Sequence, residues 1–198
     1  MCAKNILMQL LYNRLIRNDF KPDGFVFKYN KDDGLCTVST MNSNHTALLK
    51  IRVESDVESV PLILPVHEII EKTFNYKSIG AFNYRDVISY DMLSKFDVLA
   101  ADKAGYVECS YDDLSKIFRA FPDGSVAINS RGDYSVVSNR LLKSVFLEKP
   151  TLGEVFLKIN RDSPVFVAYD LDCFRVYAAV APRVTDQCNA DVILRLKE

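Results

Sequence analysis

The sequence predicts an α+β protein made of repeated β-α-β-β-β units, its antiparallel sheets carrying their helices on one face. Three observations carry that prediction. Apolar residues recur at helical spacing in four separate stretches of the chain. Each stretch is accompanied by two or three short runs that alternate or are rich in β-branched and aromatic residues. Turn residues, Pro-Asp-Gly above all, separate the runs. Four units over this chain give a period of roughly 50 residues, within the range of structural repeats. The units share a pattern and not a sequence, and the third reads one strand short. The length fits one large domain or two small ones.

The first unit opens at residues 5–18. Ile6, Leu7, Leu10, Leu11, Leu15 and Ile16 form a helical stripe there, and Arg14 and Arg17 fall off it. Pro22-Asp23-Gly24 turns the chain. GFVFKYN (24–30), LCTVSTM (35–41) and TALLKIRVE (46–54) then read as a meander. In the second unit SVPLILPV (59–66) is a strand whose prolines suit an edge or an end. VHEIIEKTF (66–74) is a short helix with Val66, Ile69, Ile70 and Phe74 inward. SIGAFNY (78–84) and DVISYDM (86–92) are strands, and FDVLAADK (96–103) is another strand or the start of a linker.

The third unit has a strand at GYVECS (105–110) and a helix at YDDLSKIFRAF (111–121). Ser110 is placed to cap that helix and Asp113 stands at its third position. Leu114, Ile117, Phe118 and Phe121 form its inward stripe, and Pro122-Asp123-Gly124 stops it. SVAINS and DYSVVS form a hairpin across Arg131-Gly132. The fourth unit starts with a helix at SNRLLKSVFLEK (138–149), with Leu141, Leu142, Val145, Phe146 and Leu147 as apolar positions. EVFLKIN (154–160) is a strand, and SPVFVAYDLDCFRVYAAVAPR (163–183) is a hairpin with an acidic bend.

Composition narrows the class. Hydrophobic residues make up 48% of the chain, enough to bury a real core. No run of apolar residues is long enough to span a bilayer, so no membrane is expected. The N-terminal apolar run is broken by Gln9, Tyr12, Asn13 and Arg14, which disfavours a signal peptide. Cys2, Cys36, Cys109, Cys173 and Cys188 are odd in number and never at C-x-x-C spacing. That pattern predicts neither a disulfide framework nor a zinc site, and it fits a reducing, cytoplasmic compartment. The net charge of −1 argues against a generally basic nucleic-acid binder but allows charges segregated onto one face.

A family resemblance emerges at the last unit. NRLLKSVFLEK, GEVFLKIN and SPVFVAYDLDCFRVYAAVAPR resemble the C-terminal end of bacterial DNA sliding clamps, the processivity factors of replicative polymerases. Those proteins place a helix of the type N-x-x-Y-L-L, a strand, a hairpin beginning Ser-Pro with an acidic bend, and a strand ending Pro-x-Arg. Asn139, Leu141, Leu142, Ser163, Pro164, Asp170, Tyr177, Pro182 and Arg183 occupy comparable places. Pro182 and Arg183 are adjacent here, one residue short of the pattern, and a tail follows where bacterial clamps stop. GYVECSYDDLSKIFRAFPDGSVAI resembles the clamp order of strand, helix, Pro-Asp-Gly turn and strand.

The resemblance implies a clamp-like fold and a role in DNA replication. A chain of four units is similar to the two-domain clamps that close as trimers, so the resemblance implies one clamp-like domain over 1–95, a second over 96–198 with a C-terminal tail, and a homotrimer encircling duplex DNA. The size and the dissimilar repeats point to a divergent form from a phage or other mobile element. Partners implied are double-stranded DNA, held by its backbone, and a DNA polymerase or other protein that docks a short peptide. By analogy with bacterial clamps, Ala181, Pro182 and Val184 border that peptide's pocket.

Helices facing phosphate must carry cations opposite their apolar stripes. Arg14 and Arg17 meet this requirement on the first helix, Lys116 and Arg119 on the third, and Arg140, Lys143 and Lys149 on the fourth. The second helix offers Lys72 and Lys77 against Glu68 and Glu71. A merely solvated helix face would look the same.

Other chemistry is sparse. Cys36 and His45 could pair as nucleophile and base, although a buried thiol and a surface histidine are by far the commoner reading. His67 sits near a helix start. Asp170 and Asp172 could hold a metal, but no third ligand accompanies them and a hairpin bend is the commoner use. Arg131-Gly132-Asp133 reads most simply as a turn. No phosphate-binding, nucleophile-elbow or zinc-protease motif occurs. Neither an enzyme, a cofactor nor a metal is expected. The competing reading is a clamp-fold or other α+β accessory or inhibitor protein of a virus or mobile element, acting on proteins without a ring.

Overall fold

The computed structural model describes Phe20 and residues 24–30, 35–42, 47–54, 63–65, 105–161, 163–171, 174–183, 185 and 189–197. The expected helices at 5–18 and 66–74, and the expected strands at 78–84, 86–92 and 96–103, lie outside them. So do His45, His67 and the side chain of Cys36.

The N-terminal meander is present as β1 (Gly24–Asn30), β2 (Leu35–Met41) and β3 (Ala47–Glu54). Its second turn is closed by Asn42, whose Oδ1 accepts from the Ala47 amide at 2.8 Å while its own amide donates to the Ala47 carbonyl at 3.0 Å. A short β4 (Ile63–Pro65) lies at the edge, as its proline requires.

The C-terminal half continues with β5 (Tyr106–Ser110), α1 (Tyr111–Ala120), β6 (Ser125–Ser130), β7 (Asp133–Ser138) and α2 (Asn139–Ser144). Then come β8 (Glu154–Lys158), β9 (Val165–Leu171), β10 (Phe174–Val180) and β11 (Val192–Arg195). One sheet has eight strands in the order β4-β1-β2-β3-β10-β9-β8-β5, and every pairing in it is antiparallel. It joins the two halves of the chain where β3 pairs with β10, from Phe174 opposite Val53 to Val180 opposite Ala47. The second sheet has three strands in the order β11-β6-β7.

Between the sheets and helices lies one apolar core. Ile51, Leu114, Val126, Ile128, Leu142, Leu157 and Tyr169 are among its fully buried side chains. Phe146 links the helices to the large sheet. Its ring meets Tyr111 edge-on at 5.2 Å and Tyr169 at 5.1 Å, and Phe118 lies 6.0 Å away. Such aromatic contacts are favourable beyond the area they bury.

The structure corrects the sequence reading in four places. The helix expected over 138–149 ends at Ser144. There the backbone leaves the helix because a distant side chain satisfies it: the Tyr169 hydroxyl donates to the Val145 carbonyl at 2.9 Å and accepts from the Leu147 amide at 2.8 Å. Val145, Phe146 and Leu147 remain buried, as their apolar character demands. Phe121, expected inward, is 39% exposed. It is the cap of α1, with φ −134°, and this non-helical backbone together with the following proline takes it off the stripe.

The third unit is shorter than expected. β7 passes directly into α2, so it is the first strand of the fourth unit, and the third retains only β5, α1 and β6. Finally, the tail contains a strand, β11, which lies parallel to β6.

Candidate nucleic-acid interface

Helix α1 forms where the sequence provides a cap, an acidic first turn and an apolar stripe. The Ser110 hydroxyl accepts from the Asp112 amide at 3.2 Å. Asp112 and Asp113 lie in the first turn and Arg119 in the last, which suits the helix dipole at both ends. Leu114 and Phe118, four residues apart, are buried. Lys116 and Arg119, three apart, are exposed on the opposite side. Helix α2 repeats the arrangement in miniature, with Leu142 buried and Arg140 and Lys143 exposed.

Asn139 ties the two helices together. Its Nδ2 donates to the Phe121 carbonyl at the end of α1 at 2.9 Å, and its backbone amide donates to the Gly124 carbonyl at 3.0 Å. It is buried. The asparagine picked out in the sequence by its resemblance to clamps thus bonds the start of α2 to the end of α1 and the turn that follows it.

The exposed cations are partly engaged with neighbouring carboxylates. Lys116 pairs with Asp113 at 2.8 Å, and this hydrogen bond raises its already high pKa. Lys149 pairs with Asp112 at 2.9 Å, and this hydrogen bond, with the lysine's charge, holds the Asp112 carboxyl below its ordinary value. Both pairs are well exposed, so each is weak and can yield to a phosphate. Arg119 donates to the Ser115 hydroxyl at 3.1 Å. Lys149, expected on the fourth helix, lies beyond its end and reaches the first turn of α1 instead.

Arg14, Arg17 and Lys72 lie outside the described residues. The described part of the expected set is therefore Lys116, Arg119, Arg140 and Lys143, brought together on two adjacent helices. Asp112 and Asp113, both engaged with lysines, are the carboxylates of these helices.

The expected partner pocket follows β10. Ala181 and Pro182 are half-buried there, the Arg183 amide donates to the Val136 carbonyl of β7 at 2.7 Å, and Val184 lies outside the described residues.

Other candidate chemistry resolves into structure. Asp170 pairs with Arg175 across the β9–β10 hairpin at 3.0 Å. Asp172 is outside the described residues. Arg131 and Gly132 turn the β6–β7 hairpin, with φ 51° and 85°, the left-handed values that a two-residue hairpin turn requires. A cavity of about 230 Å³ at this turn is lined by Arg131, Asp133, Tyr134 and Arg195, the last supplied by the tail. Burial, reinforced by the charge of Asp113, pushes the Cys109 thiol up to about 11, so it is protonated at neutral pH and a poor nucleophile. Among the described residues no group of three His, Cys, Asp or Glu side chains could hold a metal ion. No helix among them is long and apolar enough to cross a membrane.

No family model matches the chain, and no curated protein matches it by sequence. Solved structures do match its fold. Proliferating cellular nuclear antigen from Entamoeba histolytica superimposes with a TM-score of 0.54 at 11% identity, covering 92% of this chain and 100% of that one. The beta clamp of Helicobacter pylori, solved with 3,4-difluorobenzamide, gives 0.61 at 10% identity over 93% of this chain, which spans 65% of the clamp's length. The PCNA of A. fulgidus, solved with the C-terminal region of FEN-1, gives 0.55 at 9% identity, covering 92% of this chain and 97% of that one. The chain therefore has the α+β sliding-clamp fold.

Proposed function

We propose that the chain is a sliding-clamp-like processivity factor that encircles duplex DNA and tethers a DNA polymerase or another partner. The observation that carries this reading is the helix pair. Within a clamp fold, α1 and α2 turn Lys116, Arg119, Arg140 and Lys143 outward, opposite the stripes that Leu114, Phe118 and Leu142 bury. Cations set this way grip phosphate without reading bases, as sliding demands. Arg14, Arg17 and Lys72 would extend the cationic lining. Two clamp-like domains, over 1–95 and 96–198, and closure as a homotrimer complete the reading. Partner tethering is supported by the A. fulgidus neighbour, which holds a C-terminal region of another protein. Ala181, Pro182 and Val184 border the peptide pocket. The role is a scaffold's and not an enzyme's.

The test is retention on circular DNA. Arg119→Glu with Lys143→Glu should lower retention at least tenfold and reduce the slope of log K against log salt by about 2 or more, with the thermal transition unchanged. Unchanged retention removes this face from DNA binding.

A second reading has one observation in its favour. The outer edge of β6 in the three-stranded sheet is covered by the chain's own β11, which leaves that edge closed to a second copy of the chain. That favours a clamp-fold accessory protein that works without a ring. Light scattering decides between them: three times the chain mass supports the ring, and a monomer at high concentration supports the accessory protein.

A further inference from the structure

The edge of β6 is occupied in an unusual way. Its outer partner is neither a hairpin neighbour nor a crossover strand of the same unit. β10 ends at Val180, the chain meets the far side of β7 through Arg183, and it then reappears on the opposite side of β6 as β11. Everything β6 recognises there is contained in the six residues Asp191–Leu196. The ladder runs parallel from Val192 opposite Val126 to Arg195 opposite Asn129. It is bracketed by the Asp191 amide on the Ser125 carbonyl at 3.1 Å and the Leu196 amide on the Asn129 carbonyl at 3.0 Å.

Two further contacts give this edge chemical selectivity. The Asp191 carboxylate accepts from both the Ser125 amide, at 2.7 Å, and the Ser125 hydroxyl, at 3.0 Å, through the same oxygen. Gly124 leaves the room for it: a Cβ at that position would stand 3.0 Å from this oxygen and 3.0 Å from the Phe121 Cβ. Beyond the carboxylate, Val192, Leu194 and Leu196 rest half-buried on the core, while Ile193, Arg195 and Lys197 face out. Strand addition of this kind draws its affinity from the backbone and its specificity from alternate side chains.

We propose that the β6 edge is a peptide-acceptor site that the chain's own tail fills, and that an extended partner segment with a carboxylate followed by alternating aliphatic side chains takes the tail's place. The tail itself is the argument for that chemistry. It is short, half-exposed and joined in parallel, the weaker form of pairing, so a better segment can compete with it. The site is separate from the pocket expected at Ala181, Pro182 and Val184. It stands whether or not the chain closes around DNA.

The test uses the full chain and a fluorescein-labelled peptide of residues 189–197, read by anisotropy. Asp191→Ala loosens the resident tail while leaving the acceptor intact, so it should bind the peptide about tenfold or more tightly than the unaltered chain. Adding Gly124→Ala to that variant should abolish the gain, and so should an asparagine in place of the peptide's aspartate. No gain in Asp191→Ala, or equal binding of the asparagine peptide, overturns the proposal. If either variant loses its cooperative thermal transition, the unaltered chain decides. A peptide carrying a benzophenone at the position of Ile193 should crosslink to residues 124–130. A crosslink confined to other segments, or none, overturns the proposal equally.

Discussion

The eight-stranded sheet and the three-stranded sheet are built from similar strands, yet they are completed by different means. In the large sheet most neighbours are joined by short connections, and its one junction between the chain's two halves, β3 with β10, is long and antiparallel. In the small sheet only the β6–β7 hairpin is local. Its third strand arrives from the C-terminus, pairs in parallel over four residues and lies 66 positions from its anchor at Ser125. Four paired residues hold that strand, against seven at the β3–β10 junction, and its inward side chains are only half-buried. The difference teaches where this clamp fold is firm and where it can exchange partners. Firmness lies in the large sheet and the helices packed on it, and exchange lies at the tail.

The sharpest way to break that comparison is to cut the same kind of side chain in both sheets. Leu157 of β8 is fully buried, and Leu157→Ala should cost about 2–5 kcal/mol of global stability in denaturant unfolding. Leu194 of β11 is only half-buried, and Leu194→Ala should cost about 1 kcal/mol or less. Equal losses would mean that the tail is as much part of the core as the large sheet, and the contrast would fail.

Between these extremes stands Tyr169. Its hydroxyl serves two buried backbone groups where α2 ends. Tyr169→Phe keeps the packing against Phe146 but strands the Leu147 amide and the Val145 carbonyl, at a cost of about 1–3 kcal/mol in the same unfolding measurement. A neutral outcome would show that water or a neighbour replaces the hydroxyl, and the end of α2 would need another explanation.

The same contrast governs what could be read from the sequence. The meander over 24–54 and the hairpin at Arg131-Gly132 were legible because alternation and turn residues act within a few positions. Helix α1 was legible from Ser110, from Asp113 at its third position and from the spacing of Leu114 and Phe118. The early end of α2 was not, because the group that terminates it is a tyrosine 22 residues ahead of Leu147. Nor was β11: VILR alternates weakly, and its place is fixed by an aspartate's contact with a distant serine. For the cationic face, periodicity placed Lys116, Arg119, Arg140 and Lys143 off the apolar stripes. The Asp113–Lys116 pair lies at the three-residue spacing that a helix brings together, whereas the Lys149–Asp112 pair joins positions 37 apart and left no local signal. Asn139 was noticed through resemblance, and its role in tying α1 to α2 came only with the fold.

The smallest expected effect tests the tail's anchor through pH. The Ser125 amide, then its hydroxyl, hold the Asp191 carboxyl below its ordinary 3.8, and the charge of Arg183 adds to this. A carboxyl whose pKa is lower in the docked tail than in the released one favours docking as the anion. That contribution is complete above the ordinary value and is lost as pH falls through the lowered one. Protection of the Leu196 amide, which donates to Asn129, should therefore stay level from neutral pH to about 5 and decline below about 4. Protection factors remove the intrinsic pH dependence of exchange, and Asp191→Asn supplies the baseline for the other carboxylates that titrate in this range. The variant should begin with lower protection and lose less on acidification. If both proteins decline in parallel, the anchor is the backbone ladder and not the carboxylate, and the small sheet would hold its third strand by the same means as the large one.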